Sequence, residues 1–181
     1  MKGMVVAPQP EAVEAGLEVF ERGGNVMDAA ITAAFVQTVV DPQMCGIAGF
    51  GSMQVYINKL KKHTSIDFHG RAPLNAKEGM WEKLIEGVCD DGFGYILKGK
   101  INEFGYQSLT TPLTLKALNL AQSMFGTVPF GETMKSAIEY CNNGFMVRPR
   151  LHAFWMAPEQ AGRMPRISVI NKLEATKKIY L

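Results

Sequence analysis

His69 and Arg71 are the side chains in this sequence whose types and spacing most directly suggest chemistry. They lie two residues apart at the end of an expected strand, so if the extended conformation persists both side chains leave on the same face. An arginine there could grip a carboxylate with two parallel hydrogen bonds, with the histidine as its neighbour. The alternative is a surface arginine in the turn before Pro73, and spacing alone leaves both open.

Other constellations are weaker. Cys45, with Asp67 and His69 elsewhere, could be assembled into a nucleophile with base and orienter, but nothing local supports it and a buried small cysteine at a helix end is the commoner arrangement. The run CGIAGFG has closely spaced glycines that could cradle a phosphate. Its order is wrong for that, because the glycines follow a helix and open a strand, and no Gly-Lys-Ser/Thr follows. A tight, closely packed helix-to-strand connection is the expectation. The three histidines, His63, His69 and His152, have no metal-ligand spacing, so neither a metal nor another cofactor is expected.

The elements that must position these residues are legible in part. Met4 to Ala7 is β-prone. Pro10 sits at a tolerated first-turn position, and Val13, Gly16, Leu17 and Phe20 recur at helical spacing until Gly23-Gly24. Asn25 with Asp28 three residues on has the pattern of a capping box, and the following AAITAAFVQTVV is apolar on nearly every face, which predicts a central helix. SMQVYIN and Thr64 to Phe68 should pair as a hairpin around the polar turn Lys59 to His63. Lys77 to Glu86 reads as a short helix, and Gly87 to Gly105 as a loose surface segment.

Further on, Leu113, Ala117, Leu120, Ala121 and Met124 mark a helix with Thr111 as cap, Pro112 at its first position and Gly126 beyond its end. Phe130 to Asn142 should form another, with Met134, Ala137, Ile138 and Cys141 on one side and Asn143-Gly144 as its stop. Leu151 to Trp155 is a short helical run, whereas Ile167 to Tyr180 has no decisive pattern. Helices flanking a hairpin favour a layered α/β arrangement.

Composition bounds the function classes. The chain has 181 residues, with 19 Lys+Arg against 17 Asp+Glu and a net charge of +2, too balanced for electrostatic binding to nucleic acid or an anionic membrane. Hydrophobic residues at 47% and a mean hydropathy of zero fit a chain that buries a core, over residues 1–181 as a single domain or part of one. Three cysteines without CxxC spacing argue against a disulfide framework and for a reducing compartment, so a cytoplasmic location is expected. Pro8 and Pro10 leave no room for the apolar region of about 7–15 residues in a secretory signal. Ala29 to Val40 is well short of the roughly 20 residues needed to cross a bilayer.

Three blocks in order carry a resemblance: APQPEAVEAGLEVFERGGNVMDAAITAAFVQTVVDPQMCGIAGFGSMQVY, then IDFHGRAP, then GYQSLTTPLTLKALNLAQSMFGTVPFGETMKSAIEYCNNGF. Together they resemble the N-terminal part of the large subunit of gamma-glutamyltranspeptidases, across nearly the whole chain. The resemblance implies an α/β (α+β) fold, part of the αββα sandwich of N-terminal nucleophile hydrolases, helix-rich in this segment. It also implies a precursor that cleaves itself, after which the new N-terminal threonine of the small subunit attacks a gamma-glutamyl amide. The free α-amino group serves as base to the adjacent hydroxyl, and backbone N–H groups stabilise the oxyanion.

Two departures bear on function. The family's Thr-Thr-His nucleophile run has no counterpart, since Thr110-Thr111 is followed by Pro112, so no catalytic residue is expected in this chain. Where the family has an Arg-Glu-Thr-Ala-Pro run whose arginine holds the substrate α-carboxylate, this sequence reads His69-Gly70-Arg71-Ala72-Pro73. His69 takes the arginine's place and Arg71 the threonine's. The resemblance therefore implies His69 and Arg71 as substrate-binding residues, a gamma-glutamyl or related amide as substrate and a small subunit or C-terminal half as partner. A related acylase or amidase, or a non-catalytic binding module, remain the alternatives. If the chain is one part of a longer fold, exposed sheet edges or apolar surface are expected where the further half would pack.

Overall fold

The computed structural model describes residues 3–181, which divide into two compact units, 3–71 with 111–146 and 72–110 with 147–181. The α+β class is as expected. The first unit is built around a central helix.

Helix α1 (Pro10–Glu21) and helix α2 (Val26–Val40) are joined by the Gly-Gly-Asn turn. The capping box at the start of α2 is formed: the Asn25 side chain accepts from the amides of Met27 and Asp28, and Asp28 accepts from the Asn25 amide at 2.7 Å. Because α2 is apolar on nearly every face it is buried over most of its surface, with Ile31, Phe35, Val36 and Val40 at its centre and Val26 and Ala30 exposed near its start. Helix α1 lies close against it because Gly16 has no side chain, and a Cβ there would stand 3.0 Å from Val5 and 3.2 Å from the Ala29 carbonyl. The apolar stripe expected on α1 is shifted: Ala12, Ala15, Gly16 and Phe20 are buried, while Leu17 is exposed. Residues 3–7 form no strand. Val5 and Ala7 instead pack against the core.

The hairpin forms as predicted, from β1 (Ser52–Ile57) and β2 (Lys62–Asp67), antiparallel with Ser52 opposite Asp67. Lys61 in the left-handed region closes its turn. Met53, Val55 and Ile66 face the core, as period-2 alternation requires. The sheet has only two strands, so the outer edges of both are unpaired among the described residues.

Helix α3 (Thr114–Phe125) starts later than its sequence suggests. Thr111 is not its cap. The amides of Leu113 and Thr114 donate to the Gly49 carbonyl at 3.2 and 3.3 Å, and this distant acceptor replaces a local cap. Its buried face is Ala117, Leu118, Ala121 and Gln122, whereas Leu120 and Met124, expected in the core, are exposed. The next expected helix is present in two pieces, α4 (Phe130–Thr133) and α5 (Lys135–Asn143), and ends at Gly144 with φ of 77°. On α5 only Ala137 is buried, and Ile138 and Cys141 are exposed, contrary to the predicted face.

In the second unit, Lys77 to Glu86 is not a helix. Gly79 has φ of 66°, Glu82–Leu84 forms one 3-10 turn, and Ile85 already begins a strand. The segment expected to be loose holds a second hairpin, β3 (Ile85–Val88) with β4 (Tyr95–Leu97), which buries Cys89 and Leu97. Its turn is fastened by Arg163, which grips both oxygens of Asp91 at 2.6 and 3.0 Å and donates to the Phe93 carbonyl. Helix α6 (Pro149–Trp155) matches the predicted run. Helices α7 (Arg166–Ile170) and α8 (Glu174–Tyr180) occupy the stretch that had no decisive pattern, and Tyr180 packs edge-on to Trp155 at 5.4 Å.

Candidate functional site

The first hairpin delivers both singled-out residues to one strand end. Beyond its last register pair the ladder continues for one step: the Phe68 amide donates to the Gly51 carbonyl at 3.0 Å, and the Gly51 amide returns to the Phe68 carbonyl. Gly51 leaves room for the Phe68 ring, which a Cβ there would meet at 3.0 Å and have to push aside. Arg71 is fixed through its backbone, whose carbonyl accepts from the Thr111 amide at 2.9 Å in an isolated antiparallel bridge. Thr111 is thus the anchor of the site's far end and not a helix cap.

His69 and Arg71 are both exposed, as side chains leaving a strand end would be. The Asp67 Oδ1 accepts from the His69 backbone amide at 3.1 Å and lies 3.0 Å from its Nδ1. These hydrogen bonds from His69, backbone first, hold the Asp67 carboxyl below the usual carboxylate range, and the Arg71 charge adds to the effect. Phe50, itself exposed, lies beside the imidazole with ring centroids 5.7 Å apart. The Arg71 guanidinium makes no hydrogen bond or ion pair among the described residues, which leaves its donors available. Asp67 and Phe50 were not among the predicted substrate-binding residues. A signal for the first was present, since an aspartate two residues before another residue readily accepts that residue's amide. Nothing local signalled the second.

The remaining candidates resolve as structural. Cys45 is half-buried, and burial followed by the Asp41 charge pushes its thiol up, opposite to what a nucleophilic cysteine needs. The glycine-rich run is the tight helix-to-strand turn expected but is not closely packed, since Ile47 and Phe50 are exposed: the Gly49 amide donates to the Gly46 carbonyl at 3.0 Å and the Gly49 carbonyl receives the start of α3. Among the described residues no cluster of His, Cys, Asp or Glu could hold a metal ion, and no helix is long and apolar enough to cross a membrane.

The family model described as Gamma-glutamyltranspeptidase matches residues 12–181. The chain belongs to the gamma-glutamyltranspeptidase family. It is similar to the Acylase ACY 1 proenzyme of Pseudomonas sp. (strain V22), 34% identical over 150 residues, which are 83% of this chain and 26% of that protein. It is also similar to the Glutathione hydrolase proenzyme of Bacillus subtilis (strain 168), 32% identical over 145 residues, 80% of this chain and 23% of that one. Among solved structures, the gamma-glutamyltranspeptidase of Helicobacter pylori matches 98% of this chain and 46% of its own at 25% identity and a TM-score of 0.80. The cephalosporin acylase from Bacillus halodurans matches 83% of this chain and 26% of its own at 30% identity and a TM-score of 0.69. The chain spans about a quarter of the length of the curated relatives it matches.

Proposed function

We propose that this chain is the N-terminal part of the large subunit of an enzyme that hydrolyses or transfers gamma-glutamyl groups. The acyl-enzyme forms on an N-terminal threonine supplied outside residues 1–181, by a small-subunit partner. The observation that carries this reading is the free guanidinium of Arg71, held at the strand end where the family resemblance puts recognition of the substrate carboxylate. A planar donor fork on a fixed backbone suits a carboxylate, and it contributes mainly to binding.

The test is hydrolysis of gamma-glutamyl anilide by the complete gene product. Arg71→Ala is expected to raise KM about tenfold or more with kcat little changed, the usual scale for losing charge-assisted hydrogen bonds. An unchanged KM would remove Arg71 from substrate recognition.

A second reading, an acylase acting on a non-glutamyl amide, is favoured by one feature: His69-Gly70-Arg71 replaces the family's Arg-Glu-Thr, and acylases stand beside glutathione hydrolases among the relatives. Faster hydrolysis of an anilide whose acyl group lacks the α-amino group would select it.

A further inference from the structure

Asp67 has a role at this strand end that follows from hydrogen bookkeeping on the imidazole. Its Oδ1 lies 3.0 Å from His69 Nδ1 and also receives the His69 amide at 3.1 Å. Both bonds hold the carboxyl below its ordinary range, so it is ionised at neutral pH. An ionised carboxylate can only accept, hence Nδ1 must carry the hydrogen. In the neutral imidazole Nε2 is then left with a bare lone pair. Phe50, tilted 34° to the ring, lies against it and limits the orientations it can adopt.

An imidazole in this state cannot stand in for an arginine, because Nε2 has no hydrogen to give a carboxylate. The anion is left to Arg71. We infer that Asp67 is a positioning residue that fixes His69 as a hydrogen-bond acceptor at Nε2, so that the strand end selects acyl groups carrying an N–H or O–H donor beside a carboxylate. The acceptor and the cation two residues apart complement an α-amino carboxylate, with the donor group toward His69 and the negative Asp67 behind it. The selection step rests on the acyl-transfer reading, whereas the positioning of His69 does not.

Two measurements test it. In the 181-residue chain carrying 15N-histidine, at a pH where the imidazoles are neutral, multiple-bond 15N–1H correlation should show His69 protonated at Nδ1 and bare at Nε2, assigned by comparison with His69→Gln. Asp67→Ala should abolish that pattern for His69 while leaving His63 and His152 unchanged. An Nε2-protonated His69 in the unsubstituted chain, or a pattern indifferent to Asp67→Ala, overturns the inference.

The complete gene product should prefer gamma-glutamyl anilide to glutaryl anilide, which keeps the carboxylate and lacks the amino group, by about tenfold or more in kcat/KM. Asp67→Ala should raise KM for the gamma-glutamyl compound about five- to tenfold at unchanged kcat and leave the glutaryl compound unaffected. Equal losses on both substrates would mean a merely structural role and overturn the selection. Absence of turnover of both anilides would overturn the acyl-transfer reading and the selection with it, and the NMR pattern would still decide how His69 is held.

Discussion

Replacing Asp28 by alanine is expected to lower the free energy of unfolding by about 3–5 kcal/mol, because several donors lose an acceptor that is itself fully buried. Asp28 is fully buried. It accepts from the amide of Asn25 at 2.7 Å, from Gln122 Nε2 at 2.6 Å, from the amide and hydroxyl of Thr127 at 2.8 and 2.5 Å, and from the amide of Val128 at 3.2 Å. One carboxylate therefore closes the start of α2 and ties the loop after α3 to it. Burial pushes its pKa up, but the hydrogen bonds from Thr127, Asn25 and Gln122 outweigh that and bring it down to about 2. Since the folded value is depressed below the unfolded one, the stabilisation is fully present above about pH 4 and is lost as pH falls through about 2. The drop from an ordinary carboxylate value of 3.8 to about 2 corresponds to about 2 kcal/mol. Urea unfolding of the parent and of Asp28→Ala at pH 7 and at pH 3 checks both figures, and the variant should show the weaker acid dependence. A loss below about 1 kcal/mol at pH 7 would mean that water replaces Asp28 as the acceptor.

The same aspartate shows how far the sequence could be read. Its local half, the pairing with Asn25, was legible because a capping box spans three residues and needs no tertiary knowledge. Its distant half was not, since Gln122, Thr127 and Val128 lie about a hundred residues on and no local pattern announces them. The start of α3 failed for a related reason: the Thr111-Pro112 signal was plausible, but the Gly49 carbonyl supplied the acceptor for the first amides and moved the start to Thr114. Lys77 to Glu86 carried Met80, Trp81, Leu84 and Ile85 at helical spacing, but Gly79 in the left-handed region interrupts a helix there and Ile85 is taken up by a strand. For the candidate site, strand spacing and resemblance placed His69 and Arg71 together. The grip of Asp67 on His69 depends on how the chain leaves the strand after residue 67, which spacing does not specify.

Phe35→Ala is expected to destabilise the first unit by about 3–5 kcal/mol, the range for emptying a large buried aromatic site. The ring is 2% exposed at the middle of α2 and meets Phe130 edge-on, with centroids 5.6 Å apart and planes at 61°. About 1 kcal/mol of the loss should belong to that pair specifically, which a double-mutant cycle with Phe130→Leu would isolate. Phe35→Leu should cost about 1–2 kcal/mol, since most of the volume stays filled and only the aromatic geometry is lost. The consequence extends to the candidate site. Met53, Val55 and Ile66 rest on the same core as Phe35, and the strand that continues to His69 pairs with no strand other than β1 among the described residues, with the bridge from Arg71 to Thr111 beyond its end. Native-state hydrogen exchange should therefore show faster exchange at the paired amides of β1 and β2 in Phe35→Ala, while the β3–β4 hairpin of the other unit keeps its parent rates. Uniform acceleration in both hairpins would instead mean that the two units unfold as one, and that the strand end bearing His69 and Arg71 draws its order from the whole chain and not from α2 alone.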